Sequence, residues 1–365
     1  MRDRFRKIGK ANLFSLLMLG KFAVLLGSDW ITGQDNFGTY ALVGGLVGGI
    51  VALASLRARI LVLSKIQARS DFRLFQFLLI LSGIAAVLLS LFLFRDMVSM
   101  MVLGLIAAQK LAENFLLASA SFTQNCQGRD LAFRDLNITA VLVFGAFSIG
   151  LFWSLEIALV LELTVLLLAI ALQDYQLREP VSVHQIGFGG LITQSLSFSL
   201  AAGLNAGLIS LFLASGLHLV DEETLMLFAK LFAVQAVFAR LAIGNVIYFA
   251  GELRSWVLLN STVIGGFAVL AWTLCLLASN FVWIAIAFTV LNLMNIILRQ
   301  SIMSSKGAVV LIPFHAFELI SLWLLTIWFQ IDLFAVFYAL TSLRLVRIFW
   351  FTHILASNVR TEAVS

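Results

Sequence analysis

Apolar runs of about 18 to 30 residues, separated by short polar breaks, recur along the whole chain. A run of that length spans a hydrocarbon core of about 30 Å. In lipid its backbone can be satisfied only within its own segment, so the pattern predicts helices. A membrane β-barrel would instead alternate polar and apolar positions over about ten residues at a time. The predicted helices cover 11–29, 38–63, 74–94, 97–124, 136–154, 155–173, 186–216, 222–250, 256–278, 281–299, 307–329 and 330–355. The fold class that follows is an all-α integral membrane protein with twelve crossings.

The polar breaks give the orientation. With both ends on one side, the inner connections hold fifteen Lys and Arg while the outer ones hold only Arg95. The positive-inside rule therefore places both termini in the cytoplasm. The outer breaks are acidic instead, as in SDWITGQDN and HLVDEET. The basic start MRDRFRKIGK is followed by an apolar run without a small-residue cleavage site, and is read as leading into an uncleaved first helix.

The chain also reads as a pattern written twice. An acidic outer break and a long helix carry Asp35 and, 22 residues on, Arg57; the same arrangement carries Asp221 and, 19 residues on, Arg240. With six crossings each, the halves start on the same face, as parallel repeats about an axis along the membrane normal. The longest polar linker, LQDYQLREPVSVHQ, sets the boundary. It divides the chain into six-helix bundles at 1–178 and 179–365, with a cavity expected between them.

Composition narrows the function classes. Hydrophobic residues make up 61% of the chain and charged ones 12%, far from a soluble domain. No connection is long enough to house an extramembrane catalytic domain, so an enzyme is not expected; composition also admits a subunit of an ATP-driven transporter, although no P-loop occurs in this chain. DEET at 221–224 reads as a solvated turn rather than a metal site. Cys126 and Cys275 lack metal-ligand spacing. The net charge of +5 follows from the inner-face excess and implies no nucleic-acid partner.

The segment NFGTYALVGGLVGGIVALASLRARILVLSK, residues 36 to 65, resembles the region from the first to the third helix of the polysaccharide exporters in the MATE-like, or MOP, flippase superfamily. FTQNCQGRDLAFRDLNI, residues 122 to 138, is similar to that family's connection from the fourth to the fifth helix. The resemblance implies two bundles around a central cavity in the bacterial inner membrane. The function it implies is translocation of an undecaprenyl-pyrophosphate-linked oligosaccharide for O-antigen, capsule or exopolysaccharide assembly, alongside other polysaccharide-assembly membrane proteins. A multidrug or cation-coupled exporter of the same superfamily is the nearest alternative, and an oligosaccharide polymerase a more distant one. No cofactor is implied beyond proton or sodium coupling.

Charges inside the apolar runs are the candidate chemistry, because a charge at the centre of a membrane helix costs about 2.5 to 3.5 kcal/mol and is retained facing protein or water. The cations are Lys21, Arg57, Arg59, Lys110, Lys230, Arg240, Arg344 and Arg347; the acids are Glu113, Glu162 and Glu318. The excess of cations suits an anionic cargo, which guanidinium forks engage well. Lys21, Arg57, Lys110, Lys230 and Arg240 are the expected substrate-binding set. Arg59 lies about 200° around the helix from Arg57 and is expected to snorkel inward. Arg344 and Arg347 are expected to anchor the last helix at the inner interface.

Glu113, Glu162, His315 and Glu318 are candidates for ion coupling. Lys110 with Glu113, and His315 with Glu318, have the i, i+3 spacing that equally makes an internal pair. Pro313 is expected to kink the eleventh helix. GGLVGG, at 44–49, offers small residues for close helix packing. Thr193, Gln194, Ser195, Ser197, Ser199 and Asn205 make helix seven polar enough either to bond across helices or to line a sugar path.

Overall fold

The computed structural model describes residues 17, 20–55, 69–127, 129–176, 188–236, 261–277, 281–306, 308–328 and 331–362. These form α1 (20–32), α2 (Asn36–Leu46), α3 (Gly48–Ala54), α4 (Arg69–Phe94), α5 (Met100–Gln127), α6 (Arg129–Leu151), α7 (Leu155–Gln176), α8 (Phe188–Leu219), α9 (222–236), α10 (Ser261–Leu277), α11 (Phe281–Lys306), a 3-10 turn (Ala308–Leu311), α12 (Ile312–Trp323), a π-helical turn (Leu324–Trp328) and α13 (Leu333–Glu362). No strand occurs among the described residues.

A helix lies within each of the twelve predicted stretches. Seven are long and apolar enough by themselves to cross a membrane, and α2 with α3, bent by 49° relative to each other, make an eighth. The apolar parts of α10 and α11, Val263–Leu277 and Trp283–Arg299, are shorter.

The molecule is apolar outside as well as inside. On α4, Phe72, Phe75, Leu79, Ala86 and Phe94 face inward at heptad-like spacing, while Phe77, Ile80, Leu81, Ile84, Leu88 and Phe92 are exposed on the other face. An exposed stripe of that kind is costly in water and ordinary in lipid. The protein is a multi-pass membrane protein.

Packing joins the helices in two groups. α5 packs on α4, α6 and α7, and α6 on α7; further along, α11 packs on α10 and α13, and α12 on α8. With lipid as solvent, apolar burial drives little helix association, so close fit matters more. Between α5, α6 and α7 the fit uses small and aliphatic residues: Ala112, Leu116, Ala120, Leu136, Ala140, Val143 and Leu166. The second group uses rings instead. Phe212, Phe228, Phe232, Phe288 and Phe337 meet mostly edge-on or tilted, with centroids 4.8 to 6.3 Å apart. The groups touch where α2 and α3 lie along α8.

Two expectations need correction. The stretch 38–63 is not one straight helix through its glycines, because it breaks at Val47. Pro313 does not kink a helix from within. It stands in the first turn of α12, just after the 3-10 turn, where its missing N–H has no helical partner to lose.

Candidate functional site

Lys21 is 1% exposed and its ammonium makes an ion pair with Glu162, which α7 brings from 141 positions away. The Lys21 Nζ also stands 4.8 Å from the Phe147 ring centroid and 5.9 Å from that of Tyr40. Gln109, from α5, ties the group together. Its amide Nε2 is 3.0 Å from Glu162 Oε1, 3.1 Å from Glu113 Oε1 and 3.3 Å from the Tyr40 hydroxyl. An NH2 group has two hydrogens, so three acceptors share two donors. The second carboxylate oxygen of Glu162 and the carbonyl oxygen of Gln109 are buried without a hydrogen-bond partner.

This cluster borders a cavity of about 180 Å³. α1, α2, α3 and α5 contribute Lys21, Tyr40, Gly44, Gly48, Lys110 and Glu113 to its wall; the opposite wall is apolar, with Ala206 and Ile209 from α8 and Phe232, Ala233 and Ala236 from α9. Lys110 lies alongside Gly44, where the missing side chain leaves room for its stem. Glycine and alanine in the walls open the space, and the two lysines and Glu113 make one side of it polar.

Lys230 is placed differently from Lys21 and Lys110. It sits on α9, where its ammonium is 2.8 Å from Asp35 Oδ2. The other oxygen of Asp35 accepts the Gly38 N–H at 2.7 Å and caps α2. Desolvation pushes the Asp35 carboxyl up. The Lys230 ammonium and the Gly38 amide outweigh that and hold it below its ordinary value of 3.8. The ion pair therefore bridges α2 and α9, five residues before Tyr40 on one side and two residues before Phe232 on the other, the first cavity-lining residues of those helices. Arg57, Arg59 and Arg240 lie outside the described residues.

A second polar cluster lies between α8, α11, α12 and α13. Arg347 grips Glu318 with two nitrogens, Nε to Oε1 at 3.0 Å and Nη2 to Oε2, while Nη1 donates to Asn205 Oδ1 at 3.1 Å. His315 Nδ1 is 3.2 Å from Glu318 Oε2, and the Phe314 ring lies 5.5 Å from the guanidinium. His315, Glu318 and Arg347 are at most 1% exposed.

One turn away, the partners of Arg344 among the described residues are neutral. Its Nη1 meets the Asn292 carbonyl and its guanidinium lies 5.3 Å from the Phe288 centroid. Asn292 in turn donates to Gln235 at 3.2 Å. Expectation placed Arg344 and Arg347 at the inner interface; instead both are buried, because polar groups on neighbouring helices reach them before they can extend to water. Among the described residues, three buried arginines, Arg299, Arg344 and Arg347, stand in this half beside one buried carboxylate, Glu318.

The structure thus brings Lys21, Lys110, Glu113 and Glu162 together, groups His315 with Glu318, and puts Lys230 apart. Of the polar residues on helix seven, Asn205 bonds across helices and Ser197 bonds back to the Thr193 carbonyl of its own helix. Gln109, Tyr40, Asn292 and Gln235 were not foreseen. For Gln109 the signal was available: it lies four residues before Glu113 and next to Lys110, a polar run inside an apolar helix. Among the described residues no group of three or more His, Cys, Asp or Glu is placed to hold a metal ion.

No protein-family model matches the chain, and no curated protein does. Solved structures do. A multidrug resistance MATE family transporter of the MOP superfamily, in its inward-facing conformation, is 12% identical with a TM-score of 0.57, over 96% of each chain. A MOP superfamily transporter from Pyrococcus furiosus Vc1, described as having a binding pocket of reverse polarity that suggests a different function, is 11% identical with a TM-score of 0.54, over 97% of this chain and 95% of that one. A MATE protein in its straight conformation is 12% identical with a TM-score of 0.53, over 98% and 95%. At these identities the likeness is one of fold: the chain has the helical architecture of the MATE-like transporters.

Proposed function

We propose that the protein is an alternating-access transporter of the bacterial inner membrane, and that its cargo is an anionic, diphosphate-bearing lipid-linked oligosaccharide. It rocks residues 1–178 against 179–365, with both termini in the cytoplasm. The observation that carries this reading is the cavity: a space walled by α1, α2, α3 and α5 on one side and α8 and α9 on the other, with Lys21 and Lys110 on its polar side. At about 180 Å³ it takes a phosphate-sized group, and the sugars require it to widen. The isoprenoid tail stays in lipid.

The charge distribution supports the same cargo. Lys21 is balanced by Glu162, whereas Arg344 has no carboxylate partner among the described residues. A buried cation without a counter-charge is costly, and an anion arriving on the far side of the opened cavity offsets that cost. Glu113 and Glu162, bridged by Gln109 beside the cavity, supply a place for proton or sodium coupling. Those two acids also favour a second reading, a cation-coupled exporter of cationic drugs. Other polysaccharide-assembly proteins of the membrane are the expected partners.

Reconstitution into vesicles separates the readings. Flipping of a fluorescent polyprenyl-diphosphate sugar is expected in the wild type and is expected to fall about tenfold or more in Lys110→Ala, the usual effect of losing a charge-assisted hydrogen bond. Efflux of ethidium without movement of the diphosphate lipid would overturn the glycan reading.

A further inference from the structure

α2 and α3 together make one broken helix, helix 2, and the break has a specific cause. In a continuous helix the Gly49 N–H would donate to the Gly45 carbonyl, four residues back. Here a hydroxyl from another helix stands between them: Ser210 Oγ on α8 accepts the Gly49 N–H at 3.0 Å and donates to the Gly45 carbonyl at 2.8 Å. On either side the ladder continues, from Val47 N–H to the Val43 carbonyl at 3.0 Å and from Val51 N–H to the Val47 carbonyl at 2.9 Å. The axis turns by 49° between α2 and α3. A side chain inserted into the helical ladder is a recognised cause of a sharp bend.

The wedge arrives because nothing blocks it. A Cβ on Gly49 would lie 2.8 Å from the Gly207 Cα and 3.0 Å from its nitrogen, so only glycine lets α8 approach so closely. The residues around the break also shape the cavity: Gly44, Gly45 and Gly48 on one side, Ala206 and Ile209 on the other. Lys110 packs against Gly44.

We propose that Ser210 is a conformational wedge. While α8 lies against helix 2, its hydroxyl holds the helix bent; when the two groups of helices part, the hydroxyl withdraws, the Gly49 N–H bonds to the Gly45 carbonyl, and helix 2 straightens. Each backbone group has a partner in both arrangements, so the exchange is nearly even and helix contact decides it. Straightening moves the glycine wall of the cavity and the contact with Lys110. Contact between the groups is thereby converted into cavity shape. The role in transport rests on the alternating-access reading above; the bend and its cause do not.

The test is the bend itself, measured without cargo. Cryo-electron microscopy of Ser210→Ala is expected to show helix 2 bent by less than about 20°, the limit of ordinary helix curvature. Gly49→Ala keeps the hydroxyl but drives α8 away, and is expected to straighten the helix equally. If Ser210→Ala keeps a bend near 49°, the glycines alone produce it and the wedge is wrong. A bend that persists in Gly49→Ala with Ser210 displaced overturns it in the same way. Failure of the wild-type vesicle assay would instead remove the cargo assignment and leave the wedge result standing.

Discussion

Two buried ion pairs occupy the two groups of helices, and they are built to different specifications. Lys21 reaches Glu162 through a single ammonium, beside a cavity, within a set of acceptors that outnumber the Gln109 donors. Arg347 holds Glu318 in a two-pronged grip, with Asn205 taking a third nitrogen, and no residue of this cluster lines the cavity. A flexible point charge with incompletely satisfied neighbours is suited to exchange. A planar fork fixed on three sides is suited to holding helices together. The contrast teaches that the first cluster is held less completely than the second, which ties α8, α12 and α13 together.

The largest effect that would sharpen this comparison is expected from Arg347→Met. It strands Glu318 in a sealed site and should destabilise the protein by about 3 to 5 kcal/mol, seen as a marked loss of melting temperature in detergent. The double variant Arg347→Met with Glu318→Leu should recover most of that loss.

Next comes Lys21→Met. Because the vacated space adjoins the cavity, water can reach Glu162, and the expected loss is about 1 to 3 kcal/mol. Equal melting temperatures for Lys21→Met and Arg347→Met would break the comparison.

The smallest effect is expected at the partly exposed pair, where Lys230 and Asp35 side chains are 27% and 40% exposed. Asp35→Asn should cost no more than about 1 kcal/mol. Its pH dependence has a definite sign: a carboxyl held below its ordinary value stabilises fully above 3.8 and loses that contribution as pH falls through the depressed value. The gap between wild type and Asp35→Asn should therefore stay flat from about pH 5 to 8 and narrow only in strong acid.

The sequence carried the helical class and the approximate places of the helices, because bilayer thickness imposes a length on every apolar run. It carried the inward position of Lys21 and Glu162 for a related reason: charges that deep face protein or water. It did not carry the pairing of residues 141 positions apart, since that depends on which helices become neighbours. Arg344 and Arg347 were misplaced because spacing along one helix says how far a residue is from the end, and nothing about Glu318 or Asn292 waiting on the next helix. GGLVGG announced close packing, but the inserted hydroxyl that bends helix 2 belongs to a helix written 160 residues later, as the 161-residue separation of Gly49 and Ser210 records.

Asp35 performs two tasks with one carboxylate, since one oxygen finishes the first turn of α2 and the other holds Lys230. Under the alternating-access reading proposed above, opening at this end breaks only the second bond. The helix end stays finished throughout, so this rim need not unravel and rebuild, and reclosure begins from an acceptor already aimed at its lysine.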